Sequence, residues 1–332
     1  MSMRAGGTGE LNPMHLSVVI PTRNRAAFLT ECLQHLAAQQ TDGGFAYEVL
    51  VVDNGSTDAT RATVERLAAT YPVPLVYLYE PRPGKPYASN RGIEAARGAV
   101  LVLTDDDAMG QPTWLERLLR ALEETGADAV AGRVLPRWVG IEAGWVTEQI
   151  ERHIGTIGCL DFGPDRLQLS PSRQHYWWVG SNIAIRRRAI DRFGIYDVRV
   201  LRSDDADLFG RYRRQGATIV YEPEAVVFHA VPKDRLTPEV FRSISRRAGH
   251  DRAYTVPWKP YHLITLMPLS WYRDVARLAF RWSLTDGGVE RFWERLGYEC
   301  KLRAHLSHFA HRLQLWPRWW LTVLSGTRTD RP

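Results

Sequence analysis

Three consecutive acidic residues, Asp105, Asp106 and Asp107, follow the short apolar run 100–103. Side chains of an extended chain alternate between two faces, so Asp105 and Asp107 can point the same way while Asp106 points elsewhere. Two carboxylates on one side suit Mg²⁺ or Mn²⁺, above all when phosphate oxygens complete the coordination. Asp106 is then expected to be the least necessary of the three. The alternative is a solvated turn whose acids favour the positive end of the next helix.

The elements before and after this triplet alternate between strand-like and helix-like segments. The strand-like runs are 16–20, 47–52, 75–79 and 100–103, and the helix-like segments are 28–38, 59–69, 87–97 and 112–124. This alternation predicts an α/β fold with a mostly parallel sheet covered by helices on both faces. Ligands in such folds bind beyond the carboxyl ends of the strands. The polar clusters 21–25, 53–58 and 105–107 each follow a strand, so we expect them to converge on one site.

The second half of the chain is less regular. After Arg133 the sequence is rich in Gly, Trp and Pro through residue 174, which is typical of a functional insertion. An ordered block begins at residue 176 and leads to a helix through Arg214, for which Ser203 is a suitable N-cap. Strand-like runs at 217–221 and 226–228 then end at His229.

Composition limits the class of protein. The 332 residues suffice for one large α/β domain with an appendage or for two domains. The three cysteines have no paired spacing, which argues against a disulfide framework or a zinc site and favours the cytoplasm. Residues 1–14 lack the apolar stretch of a signal peptide, and no run approaches the ~18 residues that span a bilayer. The protein is therefore expected to be soluble or peripheral.

Several motifs occur in an order that resembles glycosyltransferase family 2. They are Val18 to Arg25, Val51 to Asp58, the alanine-rich stretch from Tyr87 to Gly98, the Asp triplet, Gly180-Ser181-Asn182 and Asp204-Asp205. The resemblance covers about residues 16–229. It implies the Rossmann-like GT-A fold, a nucleotide-sugar donor and inversion at the anomeric carbon.

The resemblance also implies a set of donor-site residues. Asp53 would meet the nucleobase, Lys85 would reach the diphosphate, and a UDP-sugar is the family-level default. The full nucleotide-sugar set is Pro21, Thr22, Arg23, Asn24, Asp53, Lys85, Asn90, Asp105 and Asp106, and the metal set is Asp107, Asp105 and His229. Four of these residues have a plainer alternative role. It is an Asx turn for Asp53, a solvated lysine for Lys85, a helix-surface role for Asn90 and a structural histidine for His229.

Inversion in one displacement requires a base on the acceptor hydroxyl. The family pattern assigns this role to Asp205, with Asp204 beside it, and like charges side by side raise one pKa as a base needs. The alternative is that these acids only favour the dipole of the helix they begin. Acceptor contacts are expected from aromatic faces and small residues in one stretch: Trp177, Trp178, Gly180, Ser181 and Asn182.

The predicted organisation has three parts. Residues 1–14 form a flexible tail, and 15–235 form the GT-A domain, with a nucleotide-binding half (15–110) and an acceptor or catalytic half (111–235). Residues 236–332 form a basic, Trp-rich helical extension with 16 Lys and Arg against 8 Asp and Glu. Its last helix has an apolar stripe: Phe292, Leu296, Cys300, Leu306, Phe309 and Leu313. This helix either packs on the catalytic domain or, with Trp316, Trp319 and Trp320, rests on an anionic leaflet.

The sequence therefore predicts an inverting, metal-dependent glycosyltransferase that acts on a hydroxyl of a glycan or lipid-linked acceptor. The expected location is the cytoplasm, including the inner face of the membrane. A nucleotidyltransferase is disfavoured because no Gly- and Lys/Arg-rich triphosphate-binding motif lies near the N-terminus. A non-catalytic membrane-binding module is disfavoured by the intact acidic positions. No recognised motif indicates nucleic-acid binding.

Overall fold

The computed structural model describes residues 15–141, 158–169, 180–200, 204–255, 267, 269–285 and 292–324. The predicted tail 1–14 and the proposed helix cap Ser203 lie outside these residues. Parts of the predicted irregular region, 142–157 and 170–174, also lie outside them.

The N-terminal half has the predicted strand and helix alternation. The strands are β1 (His15–Thr22), β2 (Ala46–Asp53), β3 (Leu75–Tyr79) and β4 (Val100–Leu103), and the helices are α1 (Ala26–Ala37), α2 (Thr60–Ala68) and α3 (Lys85–Ala95). The four strands are parallel and lie in the order β3-β2-β1-β4. Their carboxyl ends therefore meet at one edge of the sheet.

The second half adds strands of both directions. Its elements are β5 (Ala108–Gly110), α4 (Trp114–Thr125), β6 (Ala129–Val139), β7 (Leu167–Gln168), β8 (Ile183–Arg186), α5 (Arg187–Phe193), α6 (Asp204–Arg214) and β9 (Ile219–Pro232). The sheet continues from β4 in the order β8-β6-β9-β5, with β7 beside β9. Strand β8 is antiparallel to both β4 and β6, so the predicted parallel arrangement describes the N-terminal half and the whole sheet is mixed.

Two boundaries differ from the sequence prediction because β6 and β9 pair along their lengths. Strand β6 continues to Val139, although the sequence was expected to become irregular after Arg133. Strand β9 is one strand instead of the two predicted runs. A register shift next to Arg133 accommodates residues 223–225, which lie between those runs.

Helices cover both faces of the sheet, as predicted. Side chains of β1 alternate between two apolar clusters: Val19 belongs to one, and Val18 and Ile20 belong to the other. Helices α3, α5 and α6 contribute to the first cluster, and α1 and α4 to the second. Burial on both faces explains why these strands are almost continuously apolar.

The C-terminal extension is helical and packs on the catalytic domain. After a 3₁₀ turn at Lys233–Leu236 come α7 (Pro238–Thr255), α8 (Leu269–Leu284) and α9 (Phe292–Leu324). Phe241 of α7 and Leu296 of α9 form an apolar cluster with Val231 of β9 and Cys159. In the part of the chain that the structure describes, no helix has the length and apolar character needed to cross a membrane.

The predicted apolar stripe of α9 is wrong in its second half. Leu306 and Leu313 are 50% and 51% exposed, whereas His308 and Arg312 are buried. The inward-facing row on this helix has a spacing of four: Leu296, Ala304, His308 and Arg312 are buried, and Cys300 is partly buried. Hydrophobic periodicity could not find it because this row becomes polar where α9 packs on α7.

We predict that Gly249→Ala destabilises the packing of α7 on α9. A Cβ atom at residue 249 would overlap the carbonyl oxygen of Ala304 and lie 2.7 Å from the Cβ of Ser307. In a helix without such contacts, the same change would stabilise by about 1 kcal/mol. Thermal unfolding should show a lower midpoint for Gly249→Ala.

Gly210→Ala is the matched control because residue 210 also lies within a helix. Its added Cβ would meet only the flexible guanidinium of Arg214, at 3.2 Å. The control should unfold at or above the wild-type midpoint. If Gly249→Ala were as stable as Gly210→Ala, the close approach of α7 to α9 at residue 249 would be contradicted.

Candidate active site

A cavity of about 770 Å³ lies beyond the carboxyl ends of β1 and β4. Side chains of α7, α8 and α9 complete its lining. The predicted site residues that line it come from both halves of the chain: Pro21, Thr22, Arg23, Lys85, Asp105, Asp106, Asp107, Gly180, Asp204, Asp205 and His229.

Sheet topology explains this convergence. Strands β1 and β4 are parallel neighbours, so the segments that follow them leave the sheet side by side. The antiparallel pairing of β5 with β9 places His229 opposite Ala108, next to the Asp triplet. Asp204 and Asp205 begin α6, which brings them to the same cavity.

Asp105, Asp107 and His229 form a cluster that suits a divalent cation. Each offers one ligand atom, and these three atoms lie within 4.8 Å of one another. The Nε2 atom of His229 lies 3.1 Å from Asp107 Oδ1, and its buried Nδ1 has no hydrogen-bond partner among the residues that the structure describes. Two carboxylate oxygens and one imidazole nitrogen are a donor set that fits Mn²⁺ or Mg²⁺.

Two arginines also contact Asp107. Arg25 Nη1 lies 2.6 Å and Arg235 Nη1 lies 3.2 Å from Asp107 Oδ2. Burial alone would raise the pKa of Asp107, but His229, Arg25 and Arg235 outweigh it and hold that pKa well below its usual range. This carboxylate is therefore ionised and ready to bind a cation.

Asp106 points to β1 and α1. Its carboxylate accepts hydrogen bonds from Thr22 Oγ1 at 2.7 Å and from Arg25 Nη1 at 2.8 Å. Burial and the neighbouring Asp107 raise the pKa of Asp106 to about 6. The contacts of Asp106 thus connect the end of β4 to the loop after β1, while Asp105 and Asp107 share the cluster with His229.

Lys85 lies between the acidic triplet and Asp205. Its Nζ atom is 2.7 Å from Asp105 Oδ1 and 3.8 Å from Asp205 Oδ2. Burial opposes its charge, but Asp105 and Asp205 raise the pKa of Lys85 well above the ordinary value. A permanent cation therefore lies between the two acidic groups.

Two donors hold the Asp205 carboxylate in position. The backbone N–H of Gly180 donates to Oδ2 at 2.9 Å, and the Tyr196 hydroxyl donates to Oδ1 at 2.8 Å. A Cβ atom at residue 180 would overlap this carboxylate. Gly180 is therefore needed for the close approach of its backbone to Asp205.

Asp204 is buried beside Asp205 in a less favourable environment. Its Oδ2 atom is buried and has no hydrogen-bond partner within the described part of the chain. Burial and the neighbouring Asp205 raise the pKa of Asp204 well above its usual value, although Lys85 opposes the shift. The pair thus combines one carboxyl group held by donors with one that favours its protonated form.

Loop contacts explain the positions of two other predicted donor residues. Asp53 accepts hydrogen bonds from the backbone N–H of Ser56 at 2.7 Å and from the Tyr77 hydroxyl at 2.8 Å. Asn24 has a positive φ of 55° and accepts a hydrogen bond from the backbone N–H of Thr57 at 2.7 Å. These contacts join the loop after β1 to the loop after β2 and connect Asp53 to strand β3. The roles of Asp53 and Asn24 in nucleoside binding stay predictions.

Three further predicted residues lie behind the cavity. Asn90 makes two hydrogen bonds to the backbone of Tyr196, at 2.9 and 3.0 Å, and so positions the hydroxyl that holds Asp205. Ser181 and Asn182 are fully buried, and Asn182 accepts a hydrogen bond from the indole of Trp114. These contacts hold parts of the protein together, and direct binding of donor or acceptor by these residues stays a prediction. Trp177 and Trp178 lie outside the described residues.

The profile of Glycosyl transferase family 2 matches residues 17–193, more than half of the chain. The chain belongs to glycosyl transferase family 2. The matched part contains the Asp triplet and Lys85 and ends before Asp204, Asp205 and His229. The family assignment is thus independent of the second acidic pair.

Named relatives of this family 2 chain come from archaea and bacteria. Glycosyltransferase AglE of Haloferax volcanii is 37% identical over 36% of this chain and 39% of its own length. Succinoglycan biosynthesis protein ExoM of Rhizobium meliloti is 28% identical over 67% of this chain and 69% of its own length. The match to AglE thus spans well under half of that protein.

Three solved structures share the fold of this chain at low sequence identity. Mannosyltransferase PcManGT from Pyrobaculum calidifontis, in complex with GDP-Man and Mn²⁺, has a TM-score of 0.53 at 22% identity, over 94% of this chain and 79% of that one. S. aureus TarS 1–349 with UDP gives 0.53 at 15% identity, over 92% of both chains. GalNAc-T7 with UDP, GalNAc and Mn²⁺ gives 0.54 at 16%, over 92% of this chain and 58% of that one. The family 2 chain therefore has a GT-A fold.

Sequence reasoning missed three residues of this family 2 site. Arg25 lies within the first motif but was given no role, although it contacts both Asp106 and Asp107. Tyr196 and Arg235 lie outside the motifs, and only the fold brings them to Asp205 and Asp107. A signal existed for Arg25 alone, since a cation beside an acidic cluster is expected.

We predict that Asp204→Asn stabilises the metal-free family 2 protein, and more so as pH rises. Because the folded state raises the pKa of Asp204, the native protein keeps a proton that the unfolded chain releases above about pH 4. The stability that Asp204 costs therefore grows as pH rises toward the raised pKa. Thermal unfolding in a chelator should show a larger gain at about pH 7.5 than at about pH 4.5.

The exposed carboxyl of Asp165 provides the control. Asp165→Asn should leave the unfolding midpoint close to wild type at both pH values. A gain for Asp204→Asn that was the same at both pH values would contradict the burial penalty assigned to that carboxyl group.

Proposed function

We propose that this chain is an inverting, metal-dependent glycosyltransferase that moves a sugar from a nucleotide-sugar donor to a hydroxyl of a glycan or lipid-linked acceptor. One observation carries the proposal: a single cavity contains both the Asp105, Asp107 and His229 cluster and the separate Asp205 carboxylate. The first group suits a diphosphate with its cation, and the second suits a base. Cell-surface polysaccharide or glycoconjugate synthesis is the proposed setting.

The donor end of the cavity has the charges that a nucleoside diphosphate requires. Asp107, Asp105 and His229 would hold Mn²⁺ or Mg²⁺, which supplies a Lewis acid for the diphosphate oxygens. Arg25, Lys85 and Arg235 add three cations that can neutralise the charge of the departing diphosphate. The solved complexes of PcManGT with GDP-Man and Mn²⁺ and of TarS with UDP support this donor class. A UDP-sugar is our default donor.

Asp205 is the proposed base. Its carboxylate takes the proton of the acceptor hydroxyl while the hydroxyl oxygen forms a bond to the anomeric carbon. The bond from that carbon to the diphosphate oxygen breaks, and its electron pair leaves with the nucleoside diphosphate. Gly180 and Tyr196 hold Asp205 in one orientation, which favours a single direction of attack. Attack opposite the leaving group inverts the anomeric carbon.

Helices α7, α8 and α9 line the acceptor end in this proposal. Apolar residues Ile244, Leu278 and Leu296 lie there together with the basic residues Arg252 and Lys301. Burial lowers the pKa of Arg252, and no carboxylate among the described residues offsets that cost. An apolar lining with a desolvated cation suits an acceptor that combines an apolar part with an anionic group. Our proposed location for the enzyme is the cytoplasm, including the inner face of the membrane.

Asp205→Asn should lower turnover about 100- to 10,000-fold, the range that a positioned base contributes. Binding of a nucleoside diphosphate with Mn²⁺ should be nearly unchanged, because Asp205 is not part of the metal cluster. Turnover would be followed by chromatography of the nucleotide product, and binding by calorimetry. Release of pyrophosphate instead of nucleoside diphosphate would identify a nucleotidyltransferase.

Asp165→Asn serves again as the matched exposed carboxyl and should retain wild-type turnover. Intact turnover of Asp205→Asn, with the fold and nucleotide binding preserved, would remove Asp205 as the base.

Asp107→Asn, unlike Asp205→Asn, should abolish the Mn²⁺-dependent binding of nucleoside diphosphate. The change removes the carboxylate that contacts His229, Arg25 and Arg235. Calorimetric titration of nucleoside diphosphate with and without Mn²⁺ measures this effect, and Asp205→Asn is the comparison variant. If Asp107→Asn bound the nucleotide with unchanged metal dependence, the metal assignment would be wrong.

A further inference from the structure

Helix α8 has two apolar sides, and the described residues pack against one of them. On the inner side, Trp271 stacks on Phe309 of α9 with ring centroids 5.4 Å apart, and Arg295 of α9 lies over the ring of Trp282. Leu278 points into the cavity from the same side. These contacts account for the apolar residues of one stripe of the helix.

The outer side of α8 is exposed and has two parallel rows of residues. One row is apolar and includes Tyr272, Phe280 and Leu284, which are 43%, 64% and 66% exposed. Ala276 continues this row and is also exposed. Residues four apart lie above one another on a helix, so the row from 272 to 284 extends about 18 Å.

Three arginines form the second row, directly beside the first. Arg273, Arg277 and Arg281 are also four residues apart and are exposed. Asp274 lies 3.5 Å from Arg273, and the described residues provide no ion pair to Arg277 or Arg281. The exposed side of α8 is therefore apolar along one line and positively charged along the next.

We propose that this outer side of α8 binds the surface of an anionic phospholipid bilayer, with the helix axis in the plane of the membrane. Apolar side chains such as Phe280 and Leu284 would enter the boundary between headgroups and acyl chains. The adjacent arginines would reach lipid phosphates while their methylene groups stay near the apolar layer. A nucleic acid would match the arginines but leave the apolar row in water, and a purely apolar partner would leave the arginines unpaired.

The same helix connects this surface to the active site. Leu278, roughly opposite Phe280 around the helix, lines the cavity that contains Asp205. Leu306 and Leu313 of α9, one turn on either side of Phe309, are about half exposed and add apolar area next to α8. A bilayer against α8 would thus lie beside the acceptor end of the cavity. The inference rests on the proposed function in one respect, the role of this contact in delivering a lipid-linked acceptor.

The test is sedimentation of the full chain with vesicles of phosphatidylcholine alone or with about one third phosphatidylglycerol. The wild type should bind only the anionic vesicles, and more weakly as salt shortens the screening length from about 10 Å at 0.1 M to about 3 Å at 1 M. Phe280→Ser with Leu284→Ser, and separately Arg277→Glu with Arg281→Glu, should each lower binding about tenfold or more.

Two controls separate the surface from general charge and from misfolding. Arg66→Glu with Arg188→Glu makes the same charge change at exposed arginines outside α8 and should keep most of the binding. Phe280→Leu keeps the apolar character and should also bind. Circular dichroism and the binding of nucleoside diphosphate with Mn²⁺ should be unchanged in every variant.

Several outcomes would overturn the proposal. They are equal binding by all variants, binding that the apolar substitutions leave unaffected, or self-association that disappears in Phe280→Ser with Leu284→Ser without any vesicle binding. The last result would identify α8 as a contact between two copies of the chain. Vesicle binding without nucleotide binding would instead support the membrane-binding role of α8 and refute the proposed glycosyl transfer.

Discussion

Repulsion among buried carboxyl groups is the constraint on which the arrangement of this site depends. Asp106, Asp107, Asp204 and Asp205 are all at least nine-tenths buried, and Asp105 lies among them. Charges of one sign in a poorly hydrated cavity are costly unless cations or protons offset them. Arg25, Arg235 and Lys85 supply cations at three points, and the strongly raised pKa of Asp204 favours its protonated form. A neighbouring cation keeps a carboxyl group ionised, whereas a raised pKa keeps it protonated, so the two ways of reducing repulsion give the carboxyl groups different chemistry.

The hydrogen-bond chain from α3 to α6 shows how packing serves the chemistry. Asn90 fixes the backbone of Tyr196, Tyr196 donates to Asp205, and the backbone of Gly180 approaches the same carboxylate. In the proposed reaction, none of these three residues needs to touch a substrate in order to orient Asp205. If Asp205 is the base, its fixed carboxylate would lose little freedom when an acceptor hydroxyl arrives.

Local sequence patterns predicted the N-terminal half of the fold well because its strands are buried on both faces and its helices begin after short polar loops. They could not predict β8, whose four residues Ile183–Arg186 acquire strand geometry by pairing with β4 and β6. The acidic positions of the site were visible because consecutive carboxyl groups are unusual. Arg235 was not visible, because its role depends on where β9 ends in three dimensions. The apolar stripe of α9 was mispredicted since His308 and Arg312 are buried against neighbouring helices.

Strand β9 has a consequence for how the two ends of the cavity are related. His229 lies within this strand, Arg235 lies in the 3₁₀ turn that follows it, and α7 begins at Pro238. In the proposed function, one uninterrupted stretch of backbone therefore contributes to the metal cluster and then to the acceptor wall. The length of chain between His229 and Pro238 sets an upper limit on the distance between these two parts of the cavity. We expect a displacement of the helical extension to move Arg235, which contacts Asp107, as well as the wall of the cavity.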